Sequence, residues 1–179
     1  LSMRVFTAVD IEDRELLEKL ELLQEQLDYG FNRVEKGKMH LTLQFFQDIY
    51  RKQVQLISNA MVNIELEPFK LKVESTGVFP SKSDPRVIWA GVSSEKVFEL
   101  KKQVSNHRVP EDNGHDFHPH ITLSRVKKVP RVSRKEFRQK LEMFEDGEIG
   151  ETKVDSVKMF GSVHNGKSTD YNVLKEKKL

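Results

Sequence analysis

The chain repeats itself once, and the repeat constrains the fold more than any other feature. Arg4-Val5-Phe6-Thr7-Ala8-Val9 is echoed by Arg86-Val87-Ile88-Trp89-Ala90-Gly91-Val92, 82 positions later. His40-Leu41-Thr42-Leu43 returns as His120-Ile121-Thr122-Leu123, 80 positions later. Val73-Glu74-Ser75 with Phe79 and Ser81 returns as Val154-Asp155-Ser156 with Phe160 and Ser162, 81 positions later. Three landmarks in one order, at offsets agreeing within two residues, predict two copies of one unit, approximately 4–81 and 86–162. At 179 residues the chain suits a single domain, 1–179, whose two lobes share a core.

Within each copy the patterning is alike. Residues 4–9 are β-branched and aromatic and read as a strand. Asp10 to Asp13 offers N-caps for a helix whose Leu16, Leu17, Leu20, Leu23 and Leu27 form one face. Gly30 and Gly37 precede a strand at 39–46. Val54, Ile57 and Met61 mark a helix over 51–63, and Phe69, Leu71 and Val73 alternate as a strand. Pro80, Ser83 and Pro85 punctuate the junction. The second copy predicts strand 86–92, helix 95–105, loop 106–116, strand 117–124, helix 133–144 and strand 149–160. Tyr171 to Leu174 reads as an edge strand before a charged end. The expected fold is therefore α+β and bilobal: two pseudo-symmetric repeats, with antiparallel sheets around a central groove flanked by helices.

The doubled His-x-Thr is where chemistry enters. In a strand, residues i and i+2 share a face. His40 and Thr42 thus point one way while Leu41 and Leu43 anchor the strand. His120 and Thr122 are placed likewise, with Ile121 and Leu123 opposite. If a pseudo-twofold axis relates the copies, two imidazoles and two hydroxyls converge on one cleft. Hydroxyls donate to phosphoryl oxygens, and two imidazoles can divide acid and base roles near neutral pH.

Composition narrows the rest. Lys plus Arg is 30 against 28 Asp plus Glu, a net charge of +2, so any nucleic-acid contact must be local. Zero cysteines exclude disulfides, thiolate nucleophiles and Cys-ligated metals. No apolar run has the ~18 residues of a membrane span. Leu1-Ser2-Met3-Arg4 has no secretory character, Leu1-Ser2 reading as an expression scar before a natural Met3. A cytoplasmic monomer is expected.

The pair His40-Leu41-Thr42-Leu43 and Pro119-His120-Ile121-Thr122-Leu123-Ser124-Arg125 resembles the 2H phosphoesterase superfamily, in particular the RNA 2′,3′-cyclic phosphodiesterases historically called 2′-5′ RNA ligases. The resemblance runs from Arg4 to the Tyr171-to-Leu174 tail. It implies a bilobal fold with a central groove and opening of a terminal 2′,3′-cyclic phosphate on RNA to a 2′-phosphate, with no cofactor and no metal. His40 would then be the general acid and His120 the base, with Thr42 and Thr122 on the non-bridging oxygens. Reversal would give 2′-5′ ligation as a minor activity. Phe45 matches the family aromatic that stacks on the terminal base, although a core place beside Phe46 is the alternative. Arg125 matches the arginine closing the second motif, but regular alternation puts it on the face opposite His120 unless the strand bulges or ends. The chain departs from the family at Gln47, commonly glycine, and in its lysine-rich tail.

Other signals carry less. His115, His118 and His120 lack a zinc spacing, so no metal is expected, and His115 and His118 read as loop residues at the groove rim. Trp89, at the repeat position of Thr7, reads as core; Tyr171 lines the groove or packs the edge. Arg125, Lys127, Lys128, Arg131, Arg134, Lys135 and Arg138 form either a solvated helix face or an RNA backbone track. Two other readings of the site remain open: a phosphodiesterase on small cyclic nucleotides or 2′-5′ oligonucleotides, and a non-catalytic nucleotide or RNA-end binding module.

Overall fold

The computed structural model describes residues 2–106, 108–113 and 116–179. The strands are β1 (Met3–Asp10), β2 (Asn32–Arg33), β3 (His40–Ile49), β4 (Phe69–Pro80), β5 (Pro85–Ser93), β6 (His120–Arg125), β7 (Glu148–Val154), β8 (Ser156–His164) and β9 (Thr169–Lys178). Among the described residues, four α-helices join them: α1 (Arg14–Gln26), α2 (Arg51–Val62), α3 (Glu95–Val104) and α4 (Arg134–Met143). Asp13 caps α1 by accepting the Leu16 N–H at 2.8 Å, satisfying one of the free amides that every helix start exposes.

All the strands belong to one antiparallel sheet in the order β7-β4-β5-β6-β3-β1-β8-β9, with short β2 paired to the end of β6. The order is symmetric about the β6–β3 seam. β6, β5 and β4 on one side match β3, β1 and β8 on the other, as the repeated landmarks require. Each copy lends its last strand to the other. β4 ends the first repeat but pairs only with β5 and β7, and β8 leaves the second repeat to pair with β1.

Two readings from the sequence need correction here. The strand expected over 149–160 is two strands, divided at Asp155 and lying in opposite halves of the sheet. The buried positions change parity there, from Thr152 and Val154 to Val157 and Met159, so no single strand could bury both sets. The tail strand extends through the charged end, because Lys175 to Lys178 continue to pair with β8.

At the seam, Leu41 pairs with Ile121, the only registered β3–β6 pair among the described residues. Both are fully buried in the main core, with Leu16, Leu20 and Leu100 from the helices. Burying each such side chain favours folding by about 1.5–3 kcal/mol. Beyond this pair the strands diverge, opening a groove on the face away from that core. A second, small apolar cluster of Phe6, Ala8 and Phe160, with Tyr171 against it, forms behind one side of the groove.

Candidate active site

Register carried one residue either way from Leu41–Ile121 sets His40 opposite Thr122 and His120 opposite Thr42. The two His-x-Thr pairs therefore meet head to tail across the seam. A cavity of about 300 Å³ opens there, lined by His40, Thr42, Thr122, Phe45 and Arg125, together with Arg4, Phe6, Val34, Ser162, Thr169 and Tyr171. His120 does not line this cavity. It flanks Thr122 on the side of Trp89, near enough for the charges of His40 and Arg125 to act on it.

A matched irregularity brings the outer residues to this face. In β3, Thr7 pairs with Gln44 but Ala8 with Thr42, so Leu43 is an extra residue. In β6, Ile88 pairs with Ser124 but Trp89 with Thr122, so Leu123 is extra. Both strands accordingly run half-buried, buried, half-buried, buried, buried, exposed from their histidine. The bulge inverts alternation once. Phe45 and Arg125 then join the face of the histidines, and Phe46 takes the core place at 0% exposure. The pairing also corrects the register of the repeat, since Trp89 corresponds to Ala8 and not to Thr7. A one-residue shift in a strand exchanges faces, and Trp89 is half-buried beside the site instead of in the core.

The bulged backbone is held by helix side chains. Lys101 Nζ of α3 donates to the Leu43 carbonyl at 2.7 Å. Gln24 Nε2 of α1, 3% exposed, donates to the Leu123 carbonyl at 2.6 Å and to that of Val34 at 2.9 Å. Val34 N–H also reaches Leu123 O at 2.9 Å. Lys101 is paired with Asp112 besides. At the end of the first motif, Asn113 accepts from Gln47 N–H and donates its own N–H to the Phe45 carbonyl, each at 2.7 Å, so Gln47 lies within β3 with its amide held.

Each imidazole is fixed in one tautomer. His40 Nδ1 lies 2.7 Å from the Lys38 carbonyl and His120 Nδ1 lies 2.6 Å from the His118 carbonyl. A carbonyl only accepts, so Nδ1 carries the proton and Nε2 is left for chemistry. Aromatic rings back both histidines. Phe6 stacks on His40 at 5.0 Å and on Phe160 at 5.0 Å, with Tyr171 edge-on to His40 at 5.8 Å. Phe79, the repeat partner of Phe160, meets His120 edge-on at 5.0 Å and packs on Trp89 at 5.2 Å. Gly77 makes room for that Trp89 ring, since a Cβ there would stand 2.3 Å from it.

Burial lowers the proton affinity of both imidazoles below the ordinary value of 6.5. For His40 the bond to Lys38 and the carboxylate of Asp10, its partner across β1–β3, oppose the fall, while Arg125 adds to it. For His120 the bond to His118 opposes it, and the charges of His118, His40 and Arg125 add to it. A carboxylate thus favours the protonated form at His40, while the charges acting on His120 are all cationic. Arg4, Phe6, Val34, Ser162 and Thr169 were not expected at the site from the sequence. Arg4 and Phe6 were detectable, because they alternate on one face of the first repeated strand. His118 is exposed, 4.9 Å from Trp89, and His115 lies outside the described residues. No cluster of potential metal ligands occurs among the described residues, and no helix there is long and apolar enough to cross a membrane.

An antiparallel sheet in two matched halves around one groove, carrying the doubled His-x-Thr, defines a class of phosphoesterase. The model of the family described as LigT like phosphoesterase matches residues 9–89 and 92–168, and the chain belongs to that family. Among its relatives, an RNA 2′,3′-cyclic phosphodiesterase of Methanocaldococcus jannaschii is 28% identical over 97% of this chain and 99% of its own. One of Archaeoglobus fulgidus is 32% identical over 73% of this chain and 77% of its own. The fold matches TT0787 of Thermus thermophilus with a TM-score of 0.77 at 25% identity, over 99% of this chain and 98% of that one. It also matches E. coli LigT with a TM-score of 0.76 at 21% identity, over 100% and 99% of the two chains.

Proposed function

We propose that this protein hydrolyses the 2′,3′-cyclic phosphate at RNA ends to a 2′-phosphate, by acid and base catalysis from its own side chains. The observation that carries this reading is the head-to-tail meeting of His40–Thr42 with His120–Thr122, each imidazole with Nδ1 engaged and, among the described residues, Nε2 unengaged. His120 Nε2 takes a proton from water as the water oxygen attacks phosphorus. The bond from phosphorus to O3′ breaks, and His40 Nε2–H protonates the departing O3′. One water is consumed, and a 2′-phosphate and a 3′ hydroxyl result. Thr42 and Thr122 donate to the non-bridging oxygens as charge grows on them. Phe45 stacks on the terminal base and Arg125 steadies the phosphate by charge-assisted hydrogen bonds. When the 5′ hydroxyl of another RNA end replaces water, its oxygen bonds to phosphorus as the bond to O3′ breaks and O3′ is protonated, giving a 2′-5′ linkage as the minor activity. In this reading the protein acts as a cytoplasmic monomer without a metal.

The relatives' names support the substrate class. The size of the cavity also admits a mononucleotide 2′,3′-cyclic phosphate. The test is incubation of an oligonucleotide bearing a 2′,3′-cyclic phosphate with the protein in EDTA. A 2′-phosphate product that disappears in both His40→Ala and His120→Ala is expected. Unchanged substrate, or full activity in both variants, overturns the proposal.

A further inference from the structure

About 300 Å³ is the small end of ligand sites, enough for one nucleotide, so an RNA chain must continue outside the groove. Arg125 marks one way out. It ends β6, and Lys127 and Lys128 follow within about 11 Å of chain. There the β6–α4 connection, the β4–β5 turn and the first turns of α4 form a second concavity, lined by Lys82, Arg86, Lys127, Lys128, Arg134 and Arg138 and one carboxylate, Asp84, over a floor of Pro85, Val129 and Phe137. Val129 and Phe137 are buried, so the floor is part of the packed fold. Arg86 ties the wall together by donating to the Lys127 carbonyl at 2.9 Å.

Charge at this face is unbalanced. From 125 to 138 the sequence holds seven cations and one carboxylate, Glu136, in a chain whose net charge is only +2. Arg86 is paired with Asp84 at 3.1 Å and Lys82 with Glu145 at 2.8 Å. Among the described residues, Lys127, Lys128, Arg134 and Arg138 have no ion pair, and all four are exposed. Helix stability does not account for them. Arg134 and Lys135 occupy the first turn of α4, where the helix dipole disfavours cations, and Arg134 repels Arg138 one turn on. An anionic occupant removes both penalties.

We propose that the face of Lys127, Lys128, Arg134 and Arg138 holds backbone phosphates of single-stranded RNA on the 5′ side of the reacting end. The inference rests on reading the groove as the RNA-end site. The groove reads the terminal nucleotide, and this face supplies affinity for a chain over a mononucleotide, without base sequence.

The experiment compares the full protein with the triple variant Lys128→Glu, Arg134→Glu, Arg138→Glu. Two substrates are used: a ten-nucleotide RNA ending in a 2′,3′-cyclic phosphate, and adenosine 2′,3′-cyclic phosphate. Fluorescence anisotropy with the same RNA ending in a 2′-phosphate measures binding without turnover. In the variant, kcat/KM for the decamer falls about ten-fold or more through KM, and the plot of log affinity against log salt becomes shallower by about two, as expected for three lost phosphate contacts to a single strand. Turnover of the mononucleotide stays unchanged, which also shows that the variant is folded. Unaltered decamer binding, or equal losses on both substrates, overturns the proposal. Polyglutamate of matched charge competing as well as RNA overturns the choice of occupant. If the unaltered protein hydrolyses neither substrate, the reading of the groove fails by itself, and anisotropy still decides whether this face binds RNA.

Discussion

Leu43 and Leu123 occupy the same position in the two halves, each the surplus residue of a strand bulge and each with its carbonyl bonded by a side chain from a helix of the other repeat. Lys101 comes from α3 of the second repeat to serve Leu43, and Gln24 from α1 of the first to serve Leu123. The exchange couples the helical layer to the face on which Phe45 and Arg125 stand. Lys101→Met should remove a donor from a buried carbonyl and destabilise the fold by about 1–3 kcal/mol. Gln24→Leu should cost a similar amount, because the Val34 N–H still serves Leu123 but the Val34 carbonyl loses its side-chain donor. Both should raise KM more than they lower kcat, and thermal melts with steady-state kinetics measure the two effects.

Removal of either imidazole should slow turnover by about 10²–10⁴-fold, the usual contribution of a placed acid or base. The double variant His40→Ala, His120→Ala should be little slower than either single one, since acid and base act in one step. Thr42→Val and Thr122→Val should each cost about a hundredfold in kcat with KM nearly unchanged, as for a donor that tightens in the transition state. Single-turnover kinetics on the cyclic-phosphate oligonucleotide test all five variants.

Acidity should govern both rate and stability. The base must be neutral and the acid protonated, and both imidazoles of the free protein are displaced below 6.5. The maximum of kcat/KM should therefore lie on the acid side of 6.5. The profile of kcat should shift to higher pH, because bound phosphate stabilises protonated His40. Asp10→Asn removes the carboxylate that favours that proton, so the alkaline limb should move to lower pH. For folding the sign is fixed by linkage. Between the lowered native values and 6.5 the unfolded chain binds more protons, so stability rises with pH across that window and declines as pH falls through it. His40→Gln should flatten this dependence in denaturant titrations.

Arg125 should have two separable effects. Arg125→Met should raise KM through lost charge-assisted hydrogen bonds. It should also move both limbs of kcat/KM to higher pH, since a cation lowering both His40 and His120 is gone. Phe45→Ala should raise KM by the equivalent of about 1–3 kcal/mol, with no change in either limb.

The motif strands, the helices and the two-fold plan were legible because each copy checks the other and because burial repeats with the period of its element. What escaped was parity. Leu43 and Leu123 give no composition signal for a bulge, such as glycine, so Arg125 was left facing away from His120 by regular alternation. The division at Asp155 did leave a trace, in core residues passing from even to odd numbers, but a continuous β-rich run conceals it. Trp89 was displaced by one residue for the same reason, as the echo of Arg4 by Arg86 is a match of letters one step out of register with the hydrogen bonds. Ser162 and Thr169 reach the cavity through pairings of β8 and β9 that no local pattern specifies.

The loan of β4 to one half and β8 to the other has a mechanical consequence. Severing the chain between Ser81 and Asp84 would produce two fragments, each deprived of a strand on which the other's sheet is built. Neither should stand as a separate lobe, whereas the two mixed should reassemble. Nor can the halves drift apart like independent bodies on a hinge, because each is braided into its twin. A substrate must be admitted by the side chains and loops at the rim, with the spacing of the two histidines set by the scaffold before anything binds.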